Sequence, residues 1–170
     1  MKSLEELKSI RERMHEELKI RYESEEYYQA GSAQGLENGS QYRKHVLVCG
    51  GTGCTSSGSQ KIREKLESEL KRNGLEDEIC VIKTGCFGLC ALGPIMIVYP
   101  EGAFYSMVKE EDIPEIVEEH LVKGNVVRHL LYDETVKHGE GILPLQETRF
   151  YKKQHRVALR DRKSTRQNSS

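Results

Sequence analysis

The chain has 170 residues, a formal net charge of −1, and 31% charged against 36% hydrophobic residues. That length suits one domain with appendages, and the low apolar share implies one compact core with solvated flanks. The near-neutral charge excludes a generic nucleic-acid binder, and no apolar run approaches the ~20 residues that cross a bilayer, so no membrane insertion is expected.

The N-terminus, MKSLEELKSIRERMHEELKIR, is too charged for a secretory signal, which makes the cytoplasm the expected compartment. Leu4, Leu7, Ile10, Met14 and Leu18 recur at three- and four-residue steps and predict an amphipathic helix over 2–21. Residues 29–41 are small, polar and glycine-containing, so 1–44 reads as a helix and a linker.

A core is predicted over 45–124. Val46 to Val48 is a short buried strand. Ser57 or Ser59 can cap the following helix, whose Ile62, Leu66 and Leu70 fall one turn apart and which Asn73-Gly74 stops. Ile79 to Ile82 is apolar or cysteine throughout, as in a strand central to a sheet. Ile95 to Tyr99 and Ala103 to Val108 flank the turn signal Pro100-Glu101-Gly102 and predict a hairpin. Asp112 can cap the last helix, with Glu115 completing a capping box and Pro114 in the first turn. Its buried stripe is Ile113, Ile116, Val117 and Leu121, and Gly124 ends it. The order β-α-β-β-β-α, with a parallel crossover first and an antiparallel hairpin last, predicts an α/β thioredoxin-like domain.

Residues 125–160 have scattered apolar residues and no long period, which reads as an extended C-terminal tail and linker. The last ten, DRKSTRQNSS (161–170), fit nothing before them. One back-translation, apart from the codon for Gln167, resembles a sequencing-library adapter, and a non-native tail is expected there.

HVLVCGGTGCTSSGSQ, residues 45–60, runs from strand to glycines to helix, as phosphate-binding loops do. It lacks the Gly-Lys-Ser/Thr of a P-loop, and Ser56 stands at the third glycine of a dinucleotide fingerprint. It does carry Cys49 and Cys54. KTGCFGLCALGP, residues 83–94, adds Cys86 and Cys90, giving Cys-x4-Cys, 31 residues, then Cys-x3-Cys. In a parallel β-α-β unit both strand ends lie on one sheet edge, so the two pairs can converge on one site. The surrounding glycines permit close approach of backbone to sulfur.

Four thiolates in a reducing compartment suit a [2Fe–2S] cluster or structural zinc; redox-active thiols are a third reading. The Rieske type needs two histidines, and His45 alone lies near either pair. The fifth cysteine, Cys80, reads as a small buried apolar residue in its strand. Phe87 and Leu89 shield the site, and Tyr99 and Tyr105 are sheet residues. The acids Glu110 to Asp112, Glu118 and Glu119 form a solvated helix surface.

HVLVCGGTGC, KTGCFGLCALGP, IMIVYPEGAFY and EDIPEIVEEHLVKGNVV, in this order, resemble the amino-terminal thioredoxin-like [2Fe–2S] ferredoxin domain of one group of proteins. These are the NADH-binding flavoprotein (beta) subunits of electron-bifurcating, NAD- and ferredoxin-dependent hydrogenases and complex I-like NADH dehydrogenases. FYKKQHRVALR looks like the segment that opens their flavoprotein part. The resemblance implies that Cys49, Cys54, Cys86 and Cys90 bind one [2Fe–2S] cluster that transfers single electrons. It also implies partners among the other subunits of such a complex, with a homodimer as a further option. The glycine-rich NADH and FMN segment and the later [4Fe–4S] cysteines are absent, which reads as a truncated chain with no NADH chemistry of its own. Against this stand a zinc-stabilised interaction domain and a thiol oxidoreductase, although neither pair has the Cys-x-x-Cys spacing of the latter.

Overall fold

The computed structural model describes residues 3–22, 42–136, 141–143 and 145–154. The linker expected at 29–41, Pro144 and the stretch 155–170 lie outside the described residues. Helix α1 spans Leu4–Tyr22. It opens on a reciprocal cap: Ser3 Oγ accepts the Glu6 N–H at 3.2 Å, and the Glu6 carboxylate accepts the Ser3 N–H at 2.7 Å. Its apolar stripe is only partly covered, since Leu4 is 70% and Leu7 52% exposed while Ile20 is 2% exposed. The helix meets the domain through its last turn, where Arg21 Nε donates to His45 Nδ1 at 3.1 Å. None of the described helices is long and apolar enough to cross a membrane.

Four strands make one mixed sheet: β1 (Lys44–Cys49), β2 (Ile79–Thr84), β3 (Met96–Tyr99) and β4 (Ala103–Tyr105). Their order is β2-β1-β3-β4. β1 and β2 are parallel, with Lys44 opposite Ile79 and Cys49 opposite Thr84. β1–β3 and β3–β4 are antiparallel. The parallel pair needs a crossover. Short α2 (Thr52–Ser56) and long α3 (Ser59–Arg72) supply it. The expected thioredoxin-like α/β order is therefore present.

β2 lies at the edge, not in the centre. Its apolar run reads as covered on both faces, yet only Ile79 is buried, while Cys80, Val81 and Ile82 are half-buried. Arg21 and Glu17 both act on the Cys80 thiol, which places the last turns of α1 beside this strand.

Alternation along the strands divides the interior. Val46, Val48, Met96, Val98 and Tyr105 pack on Ile62, Leu66 and Leu70 of α3 and on the last helical stretch. Leu47, Cys49, Ile97 and Phe104 face the other way, toward Ile95 and Cys54.

The capping expectations need correction at two places. Gly58, at φ +94°, precedes α3 and no side chain caps the helix; Ser59 is its buried first residue. Asp112 accepts the Lys109 N–H at 2.8 Å, so that box closes the preceding turn. Helix α4 (Ile113–Glu115) widens into a π-helix over Ile116–Val122. The widened turn buries His120, whose Nδ1 lies 2.8 Å from the Tyr105 hydroxyl. β4 stops at Tyr105 rather than Val108 because Met107 sits at φ +52°.

The stretch expected as an extended tail folds back along the domain over its described residues. Val127, Leu131 and Ile142 enter the core, Leu131 bridges Tyr105, and Tyr132 packs edge-on against Phe104. Its apolar residues enter the core singly from 3-10 turns, which leaves no period to read.

Candidate metal centre

β1 ends at Cys49, whose N–H donates to Ile95 O at 3.0 Å, and Gly50 donates to Thr84 O at 3.0 Å. The first loop thus leaves the sheet level with the end of β2. α2 then turns Cys54 back beneath it, and Cys49 and Cys54 are each 1% exposed. Past β2, Cys86 and Cys90 lie at the surface. Gly88, at φ +83°, turns its N–H onto Cys86 Sγ at 3.3 Å.

The sequence pairs converge. Cys86 Sγ and Cys90 Sγ are 3.7 Å apart, and the Cys49 thiol lies 3.7 Å from Gly85 O in the second loop. Cys49 acts electrostatically on Cys54 and Cys90, and Cys54 also senses Cys90. All five cysteines are free thiols. Among the described residues, no three His, Cys, Asp or Glu side chains gather around a point suited to a single metal ion. Cys49 makes side-chain contact with both Cys54 and Cys86, so the four sulfurs form one continuous group.

Glycines make the approach feasible. A Cβ on Gly51 would stand 2.9 Å from Cys86 Cβ, and one on Gly93 would stand 2.7 Å from Cys54 Sγ. Gly93 precedes Pro94 through a cis peptide bond.

The pairs differ electrostatically. Burial pushes the Cys54 thiol up to about 11, with neighbouring Cys49 adding to it. The Gly88 N–H draws the Cys86 thiol below its usual value. Cys90 is raised, first by its hydrogen bond with Cys86 and then because a negative Cys86 next door opposes a second charge.

Phe87, Leu89 and Leu92 pack against the cluster of residues that holds Cys49 and Cys54. The sequence does not point to the C-terminal contribution. Tyr132 and Leu145 pack on the same group, and the Tyr151 hydroxyl donates to Phe87 O at 2.7 Å. The Phe150-Tyr151 pair in a polar stretch was the available signal. Cys80 stands apart, half-buried in β2 opposite His45. His45 is occupied by Arg21, and burial with that cation holds its imidazole down at about 4.

Residues 36–121, half of the chain, match the family model of the thioredoxin-like [2Fe–2S] ferredoxins. The chain belongs to that family. It is 41% identical over 98 residues to a 2Fe-2S ferredoxin of Clostridium pasteurianum, covering 52% of this chain and 94% of the relative. It is 34% identical over 97 residues to a 2Fe-2S ferredoxin of Aquifex aeolicus (strain VF5), covering 52% and 87%. A solved thioredoxin-like [2Fe-2S] ferredoxin from Aquifex aeolicus superposes with a TM-score of 0.50 at 32% identity, over 59% of this chain and 96% of that one. A [2Fe–2S] cluster and electron transfer therefore belong to this ferredoxin.

Proposed function

We propose that Cys49, Cys54, Cys86 and Cys90 hold the [2Fe–2S] cluster. The observation that carries this reading is the meeting of two thiol pairs at one sheet edge, one buried and one exposed. The donor set fits the group: four cysteine thiols gathered at one place match the four-cysteine ligand set of a [2Fe–2S] cluster. When bound, the cluster supplies one-electron transfer.

The chain's own residues do the rest. Cys49 and Cys54 anchor the site in the core, and Gly88 donates its N–H to Cys86. Such donors offset negative charge on sulfur and raise the reduction potential. Phe87, Leu89, Tyr132 and Leu145 limit water on the buried side. A redox partner approaches over Cys86 and Cys90, where the sulfurs reach the surface.

The finer reading is a module of an NADH-dependent oxidoreductase, working in the cytoplasm with other subunits of an NADH dehydrogenase or hydrogenase. Here 45–124 is the ferredoxin unit, and 125–160 leads toward a flavoprotein part that would carry FMN and NADH. The resemblance of the flanking segments supports this. So does the course of residues 145–154, which run beside the exposed pair through Tyr151 and Phe87.

Anaerobic expression of the whole chain, with visible absorption and low-temperature EPR, tests both levels. Charge-transfer bands that bleach with dithionite, a spin-half signal and about two irons per chain are expected. NADH alone should not bleach the chain, whereas NADH with a flavoprotein subunit should. A colourless, zinc-loaded protein would overturn the ligand assignment. Bleaching by NADH alone would overturn the modular reading.

A further inference from the structure

On the sheet face away from Cys49, four polar side chains from four elements meet in the interior. Lys44 opens β1, Glu101 sits in the β3–β4 turn, Tyr105 ends β4 and His120 lies in the π-helix. His120 and Tyr105 are fully buried, and Lys44 is 6% exposed. We propose that these groups form an acid-sensitive latch, which fastens the segment after Gly124 to the domain and releases it when His120 takes up a proton.

The proton positions follow from the hydrogen bonds. The Tyr105 hydroxyl accepts the Val127 N–H at 3.2 Å and lies 2.8 Å from His120 Nδ1. Its single proton has no other acceptor among the described residues, so it goes to Nδ1. His120 is then a neutral imidazole with its own proton on Nε2, 3.5 Å from Glu101 Oε2. The other Glu101 oxygen takes the Lys44 ammonium. Glu101 Oε2 and His120 Nε2 are the buried side-chain atoms left without a hydrogen bond among the described residues. The carboxylate is thus already matched to lysine, and the imidazole fits only while it is neutral.

A second proton spoils the arrangement. It arrives from solvent on Nδ1 and turns that atom from acceptor to donor. The Tyr105 and Nδ1 protons then oppose each other, and the core gains a net positive charge. Release of Val127 lets water reach the hydroxyl and accept its proton. The segment held in this way runs along β4: Val127 and Leu131 enter the core, Ser106 N–H donates to Leu130 O at 3.1 Å, and Tyr132 N–H donates to Phe104 O at 2.9 Å. Val127 comes first of these attachments along the chain.

The charges around the imidazole fix the sign. Burial lowers His120 from its ordinary 6.5, the Glu101 carboxylate opposes this, and the Lys44 ammonium adds to it. Against its own burial, Glu101 is held down at about 2 by His120 and Lys44, so it stays ionised near neutrality. Burial, with Glu101 and Glu115 adding to it, raises the Tyr105 phenol, which keeps its proton. The remaining charges nearby are spent on one another: Arg43 on Glu78, Lys65 and Arg72 of α3 on Glu69, and Lys123 on Glu118 and Glu119. The latch is therefore closed above pH 6.5 and loosens as the pH falls below it.

The test follows the Val127 amide by hydrogen exchange in the oxidised, cluster-loaded full chain, with protection taken relative to the unstructured rate at each pH. Protection should fall by about tenfold or more between about pH 7.5 and about pH 5. Nitrogen NMR of the His120 ring at neutral pH should show the Nε2–H tautomer. His120→Gln supplies an acceptor for Tyr105 that does not titrate, so the fall should vanish; His45→Gln, on the other sheet face, should keep it. An Nδ1–H tautomer, pH-independent protection in the wild type, a fall that persists in His120→Gln or one abolished in His45→Gln would each overturn the latch. If His120→Gln does not fold, the tautomer and Tyr105→Phe decide. Tyr105→Phe should leave Val127 weakly protected at both pH values, and wild-type protection there would overturn the proposal.

Discussion

The two cysteine pairs follow two parallel neighbouring strands, yet their surroundings are opposite. Cys49 and Cys54 are almost fully enclosed, while Cys86 and Cys90 are exposed. The difference comes from sheet order. β1 lies between β2 and β3, so its end is covered by Ile95 and the Gly93 turn; β2 is an edge strand, and its loop emerges into solvent. One half of the site therefore holds, and the other half presents.

Serine substitutions should separate the halves most strongly. On the proposed assignment, Cys49→Ser or Cys54→Ser removes a cluster ligand and leaves a hydroxyl in a largely apolar enclosure. Complete loss of the visible bands is expected, with a further folding cost of about 1–3 kcal/mol. Cys86→Ser or Cys90→Ser leaves the hydroxyl in water, so a shifted, weaker chromophore and near wild-type folding are expected. Equal bleaching and equal melting temperatures across all four variants would break the comparison.

Glycine substitutions test the same division sterically. Gly93→Ala forces a methyl to 2.7 Å from Cys54 Sγ on the enclosed side and should cost about 1–3 kcal/mol together with cluster occupancy. Gly53→Ala meets Cys90 Cβ at 3.6 Å, an ordinary contact, and should load fully. Iron content and urea unfolding of the two variants check this.

A third prediction lowers stability away from both pairs. The folded state keeps His45 near 4, below the ordinary 6.5, so the unfolded chain takes up the proton first as pH falls. Stability is full above pH 6.5 and declines toward pH 4. Thermal unfolding followed by far-UV circular dichroism should show that slope, and His45→Gln should flatten it without altering the visible spectrum. The smallest effect is expected from Tyr151→Phe, which removes the hydrogen bond to Phe87 O. A loss of about 0.5–1.5 kcal/mol and a shifted midpoint potential with unchanged iron content are expected, because the lost contact lies beside the exposed pair. An unchanged potential would separate the C-terminal segment from the site.

The sequence by itself determined the element order, the helix stripe from Ile62 to Leu70, the Asn73-Gly74 stop and the convergence of two cysteine pairs. Each rests on local period or on fixed spacing after parallel strands, and both survive without knowledge of neighbours. Tertiary structure decided which pair is buried, because strand order depends on pairings between residues far apart in the chain, such as Leu47 with Ile97. It also decided that β2 is an edge, since an apolar run looks the same whether a strand or the end of α1 covers it. The roles of Val127 and Leu131 were invisible for a related reason: each meets a distant partner singly, so no repeat records them. The empty helix cap before Ser59 belongs to the same class. Ser57 and Ser59 are both plausible caps in sequence, and only the left-handed turn at Gly58 decides that neither side chain fills that place.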